Sequence, residues 1–185
     1  KIVKIFPAKD AQSIESADDG KDIAVVCDVT AFHAEGGGQL GDLGTIICPT
    51  GKINIDCTKK LPDGVVVMLG TVTEGVVKVG DEVQFQINYS RKNDIARNHT
   101  ATHLMHAALK KVLGSHVNQA GSYVGPDRLR FDFSHFSPVT ADELKEVEQL
   151  VNEEILAAKD VKIEELPIEE AKKKGATALF GEKYG

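Results

Sequence analysis

The feature that most constrains this chain is a change of hydrophobic period close to residue 90. Before it come short β-branched runs at residues 21–32, 44–48, 52–57, 64–69 and 81–87. Turn-forming residues separate them: Pro49-Thr50-Gly51, Pro62-Asp63-Gly64 and Gly80-Asp81. Short strands punctuated at this spacing favour a small barrel or sandwich. After residue 90 the pattern becomes helical. Ser90 is suited to cap a helix running to about Leu113, with Gly114 as its stop. A hairpin follows, with strands at 117–124 and 128–133 around Gly125-Pro126-Asp127. Thr140 and Glu143 form a capping box for a second helix to about Lys159. Residues 161–166 read as a strand, and Pro167 suits the first turn of a short helix ending near Gly175. The expected class is α+β: a small N-terminal β-barrel over 1–89, then an α+β core of helix, hairpin, helix and strand over 90–185.

Charge and cysteine usage narrow the function classes. The 185 residues carry 22 basic and 28 acidic side chains, a net charge of -6. A protein built to wrap duplex nucleic acid is normally basic, because phosphate neutralisation dominates such affinity. Bulk duplex binding is therefore disfavoured, while a local contact with one nucleic-acid end is not. Three cysteines, Cys27, Cys48 and Cys57, imply no disulfide framework and fit small buried apolar positions in a reducing cytoplasm. No apolar run approaches the roughly 18–20 residues that span a bilayer, so no membrane partner is expected.

Chemistry concentrates in residues 95–113. On a helix, Ala101, Leu104, Met105, Ala108 and Val112 share one face, and His99, His103 and His106 lie opposite, with Thr102 beside them. Flanking Ile95, Leu109 and Leu113 suggest that the histidine face is covered too. His99 and His103, four residues apart, can reach one ion. Such a pair also arises in ordinary helix cores, and two ligands fall short of the three or four that zinc requires. The second informative stretch is the loop His33-Ala34-Glu35-Gly36-Gly37-Gly38-Gln39-Leu40-Gly41-Asp42. Its consecutive glycines permit positive φ and close approach of a ligand or another chain segment. It lacks the Lys-Ser/Thr of a Walker loop and the spacing of a dinucleotide fingerprint.

Taken together, FHAEGGGQLGDLG (32–44), RNHTATHLMHAALKKVLGSHVNQAGSYV (97–124), LRFDFSH (129–135) and GATALFGEKYG (175–185) closely resemble the editing-domain family of alanyl-tRNA synthetases. Free-standing AlaX-type deacylases share that architecture, and a related module occurs in threonyl-tRNA synthetase. GATALFGEKYG points to a fragment of the multidomain type. The resemblance implies zinc-assisted hydrolysis of mischarged Ser-tRNA(Ala) and Gly-tRNA(Ala). A pocket for alanine rejects glycine by only about 1–3 kcal/mol and excludes serine's hydroxyl poorly, so a second site would repair errors.

By position the resemblance makes His99 and His103 zinc ligands, with two further ligands in a Cys-x-x-x-His segment after Gly185. It puts Thr102 and Gln119 at the pocket, with Ser122 just beyond Gln119 on the same hairpin. Gly36, Gly37, Gly38 and Gln39 would meet the tRNA(Ala) acceptor end. It further implies other domains of a parent synthetase as partners, ATP used only in that parent, no charging of tRNA by this chain, and a cytoplasmic location. The competing readings are a non-catalytic tRNA-docking or spacer module, a free-standing deacylase and a generic metallohydrolase.

Overall fold

In the computed structural model, which describes residues 1–176, the first half is one antiparallel sheet. Its strands are β1 (Ile2–Pro7), β2 (Ser16–Asp18), β3 (Asp22–Cys27), β4 (Gly44–Cys48), β5 (Gly51–Lys60), β6 (Val66–Lys78) and β7 (Gln84–Ile87). The order is β1-β3-β6-β5-β4-β7, with β2 paired to the far end of β6. No ladder joins β1 to β7 among the described residues, so the sheet does not close into the expected barrel that way. Backbone bonds from Ile2 to Gly80 and Asp81 tie β1 to the turn before β7 instead.

Alternation explains the core. In β5, Ile53 and Ile55 point inward while Lys52, Asn54 and Asp56 stay exposed. A bulge between Ile55 and Cys57 then shifts the register and turns Thr58 fully inward. Ile2, Ile5, Ile23, Val25, Ile46, Met68, Val72 and Val77 complete a core in which each is at most 1% exposed.

The second half holds α1 (Tyr89–Leu113), the antiparallel ribbon of β8 (Gln119–Val124) and β9 (Leu129–Phe133), α2 (Ala141–Leu156) and α3 (Ile168–Lys173). Helix α1 packs on the ribbon and on α2 around a smaller core of Ala108, Leu109, Val117, Phe131 and Val147. The Thr140–Glu143 capping box opens α2, and Gly114 ends α1, both as expected.

The mixed α+β class agrees with the sequence reading, and several details correct it. Strands β1 and β2 were not anticipated. A register shift between Ile2 and Lys4 puts Ile2 and Ile5 on the same side although they are three residues apart, which hides the two-residue period. Strand β3 stops at Cys27, short of Phe32. Strand β6 runs thirteen residues because β3, β5 and β2 all pair with it. Asn88, not Ser90, caps α1, its side chain accepting from the Arg91 amide at 3.1 Å. Residues 161–166 form no strand: Val161 and Ile163 are exposed and have no sheet edge to join. Pro167 is the N-cap of α3 and not its first turn. Most of the GATALFGEKYG segment lies outside the described residues.

Candidate functional site

The site is assembled where the glycine-rich loop crosses from the sheet to α1. Asp42, buried to 2% exposure, is the anchor. Its carboxylate accepts from the His33 amide at 2.8 Å and from Lys92 Nζ on α1 at 2.5 Å. The inward-turned Thr58 donates its hydroxyl to the Asp42 carbonyl at 2.8 Å, and the Thr58 carbonyl accepts from the Glu35 amide at 2.9 Å. Arg91 on α1 donates to the Gly41 carbonyl at 2.8 Å. The bulge in β5 therefore fixes both ends of the loop. Among the described residues no buried side-chain nitrogen or oxygen lacks a hydrogen-bond partner, as burial demands.

Within that frame, residues 36–39 form a tight turn closed by reciprocal backbone bonds between Gly36 and Gln39. Gly37 and Gly38 have φ of 58 and 82°, the paired positive values of a type I′ turn. Gly38 has a second reason to lack a side chain, since a Cβ there would lie 2.3 Å from the Ser122 carbonyl oxygen. The loop joins β8 through Val124 N–H to the Gly38 carbonyl (2.8 Å) and Leu40 N–H to the Val124 carbonyl (3.0 Å). Asn98 of α1 donates to the Gly125 carbonyl at 2.8 Å and so holds the far turn of the same ribbon.

This docking brings Gln39 to α1. Its side-chain oxygen lies 2.7 Å from His99 Nδ1. An amide oxygen only accepts, so Nδ1 carries the hydrogen, and in the neutral ring Nε2 keeps its lone pair. Partial burial, followed by the neighbouring His103 and His33, holds the His99 pKa below its ordinary value and favours the neutral ring. The His103 ring lies alongside, with centroids 5.1 Å apart and planes 24° apart. Gln39, Lys92, Ala96, His99, Thr100 and His103 line an open cleft of about 350 Å³. Chemically it offers hydrogen-bond donors and acceptors and two flat imidazole faces.

The histidine face is exposed, which corrects the expectation that it is covered. The buried line of α1 passes instead through Ile95, Thr102 and Leu109. His106 leaves the other two histidines: it packs on Phe131, with centroids 4.9 Å apart, and burial lowers its pKa. Thr102 is buried, with its hydroxyl given to the Asn98 carbonyl one turn back at 2.8 Å. Gln119 is exposed at the start of β8, opposite Phe133, and Ser122 faces Phe131 across the ribbon while its backbone receives Gly38. Zinc needs more than this cleft provides. No group of three or more His, Cys, Asp or Glu able to hold a metal occurs among the described residues, and His99 and His103 supply two donors. Asp42, Lys92, Thr58 and Asn98 were not anticipated. Only Asp42, an acid closing a glycine-rich stretch, left a sequence signal; the other three act through contacts distant in sequence.

Residues 1–91 match the family of class II (A) tRNA synthetases. The chain is 51% identical over 181 residues to the alanine–tRNA ligase of Acetivibrio thermocellus, covering 98% of this chain and 21% of the relative. It is half identical to alanine–tRNA ligases along nearly its whole length. The Thermus thermophilus ligase is 51% identical over 174 residues (94% of this chain, 20% of the relative), and that of Listeria welshimeri 48% over 181 (98% and 21%). The chain thus spans about a fifth of the length of these relatives. These matches overturn the expected deacylase acting on Ser-tRNA(Ala) and Gly-tRNA(Ala). The matching family is one of tRNA synthetases and the relatives are ligases, so the likeness is to the enzyme that joins alanine to tRNA. No helix of the described residues is long and apolar enough to cross a membrane.

Proposed function

We propose that this chain is a portion of an alanine–tRNA ligase and serves the attachment of alanine to its tRNA. The carrying observation is the 51% identity sustained over 98% of the chain. Forming an ester from a carboxylate and a tRNA hydroxyl is uphill in water, so ATP and the remaining domains of the ligase belong to the reaction. The contribution of this chain is a rigid cleft for the tRNA end. The glycine turn presents backbone at close range, Gln39 fixes the His99 ring, and His99 Nε2 is left to accept a hydrogen bond. A neutral, hydrogen-bonding cleft of this kind suits a single acceptor end and accords with a net charge of -6.

The test is alanine attachment by a purified ligase containing this chain, with rates measured against tRNA concentration. The intact protein charges tRNA with alanine in the presence of ATP. Gln39→Ala, which frees the His99 ring, raises KM for tRNA by roughly 2–10-fold, the equivalent of one lost hydrogen bond, and changes kcat less. Failure of the intact protein to attach alanine defeats the proposal, and an unchanged KM removes the cleft from the tRNA path.

A further inference from the structure

At the open end of the β8–β9 ribbon, away from the Gln39–His99 cleft in sequence and in contacts, three rings form a unit. His116 Nε2 and His135 Nδ1 are 2.8 Å apart, and the two ring planes differ by 18°. A centroid separation of 5.1 Å with that nitrogen distance means the rings meet edge to edge through an N–H···N bond. Together they present one flat surface wider than either ring. Phe136 lies over both, 4.5 Å from His116 and 4.7 Å from His135, with planes tilted by 28° and 31°. Ser137 Oγ, 3.2 Å from His135 Nε2, fixes the far edge. The pair also locks the segment before β8 to the segment after β9, reinforced by the Ser134 amide donating to the Asn118 carbonyl at 3.0 Å.

The phenyl ring is held from below and open above: Phe136 is 83% exposed. A ring packed on one side and bare on the other has fewer orientations to lose, so a flat ligand can stack on it with less ordering. Among ligand classes, an unpaired nucleobase has the matching flat π-face, and aromatic or histidine platforms bind single-stranded nucleic acid in this way irrespective of base identity. Asn118, Ser134 and Ser137 are exposed beside the rings and bring hydrogen-bonding groups without a fixed charge.

We propose that Phe136, backed by the His116–His135 pair, is a stacking platform for an unpaired base of tRNA. The proposal rests on the reading of the chain as part of a tRNA-charging ligase, and it names a second contact that neither the cleft nor the family likeness supplies. The probe is a single-stranded RNA of about ten nucleotides carrying 2-aminopurine, whose fluorescence is quenched on stacking, titrated with the 185-residue chain. Binding with quenching is expected. Phe136→Ala should weaken it about 5- to 150-fold, the span of one lost base stack, and Phe136→Trp should retain it.

Binding that survives Phe136→Ala overturns the platform and leaves the ligase reading standing. Equal affinity for a duplex of the same length also overturns it, since a paired base has no free face. A chain that binds no RNA overturns it as well, while alanine attachment by the whole ligase then judges the other reading separately. If Phe136→Ala instead abolishes self-association with RNA binding unmoved, the ring is a protein contact and the platform is wrong.

Discussion

The two halves of the molecule solve the burial problem differently. In the sheet, thirteen residues form one apolar cluster, most of them at 0 or 1% exposure. Around α1, five residues form the second cluster, and Phe136, Ile155, Leu156, Val161 and Ile163 remain more than half exposed. The sheet half spends its apolar residues on itself. The helical half keeps rings and apolar side chains at its surface, where recognition takes place, and leans on the sheet for precision. The hydrogen bonds that set the cleft, from Asp42 to Lys92, from Gln39 to His99 and from the glycine turn to Val124, all run between the two.

This contrast breaks first under core truncation. Ile53→Ala, at a position with no exposure, should destabilise the chain by about 2–5 kcal/mol, the cost of a deleted buried side chain plus its cavity. Val147→Ala in the smaller core removes less volume and should cost less, roughly 1–3 kcal/mol. Urea denaturation followed by far-UV circular dichroism compares them. Equal losses would mean that the smaller core is packed as tightly around Val147 as the sheet is around Ile53. The junction comes next. Gly38→Ala forces a Cβ to within 2.3 Å of the Ser122 carbonyl at a φ of 82°, so the loop must leave β8. A loss of about 1–3 kcal/mol is expected from the strained backbone alone. The Gln39–His99 contact should loosen with it, visible as a shift of the His99 ring resonances. A variant with parental stability and unshifted resonances would show that the glycine turn does not dock the halves.

Legibility in the sequence followed the locality of the cause. The α1 boundary at Gly114, the capping box at Thr140 and the β8–β9 hairpin were readable because each depends on residues within a few positions of one another. The bulges in β1 and β5 were not, because a register shift is decided by the neighbouring strand. That is why Ile2 and Ile5 look out of phase and why Thr58 looks like a surface residue. His99 and His103 are legible as a pair, but the exposure of their face is not. The periodicity of α1 does not say that Asn98 and Thr102, both polar, lie along its inner side. Residues 161–166 had strand-like composition and no partner, a condition that composition cannot report.

The halves should also differ in their response to acid. Burial lowers the pKa of His106, which packs on Phe131 of the smaller core, and partial burial lowers that of His99 at the junction. A histidine whose folded pKa lies below its unfolded value of 6.5 takes up its proton more readily when unfolded. Its contribution to stability is complete above that value and disappears as pH falls through the folded pKa. Unfolding free energy should therefore decline as pH drops from 7.5 towards 5, and His106→Gln should flatten part of the decline. A parental pH profile in the variant would mean that the ring titrates the same way folded and unfolded.

The smallest effect tests what Thr102 does. Its hydroxyl proton is already given to the Asn98 carbonyl and the side chain is buried, so no proton is presented to the cleft. Thr102→Val keeps the branched shape and removes one hydroxyl whose acceptor is a helix carbonyl that also serves the backbone ladder. The cost should be at most about 1 kcal/mol, the net worth of an ordinary buried hydrogen bond. KM and kcat for alanine attachment by the ligase should stay within about twofold of the parent, since that stability change is spread over the fold and not focused on bound tRNA. A tenfold change in either constant with stability preserved would place the hydroxyl in contact with substrate, and the inner line of α1 would then extend the site from the exposed face into the smaller core.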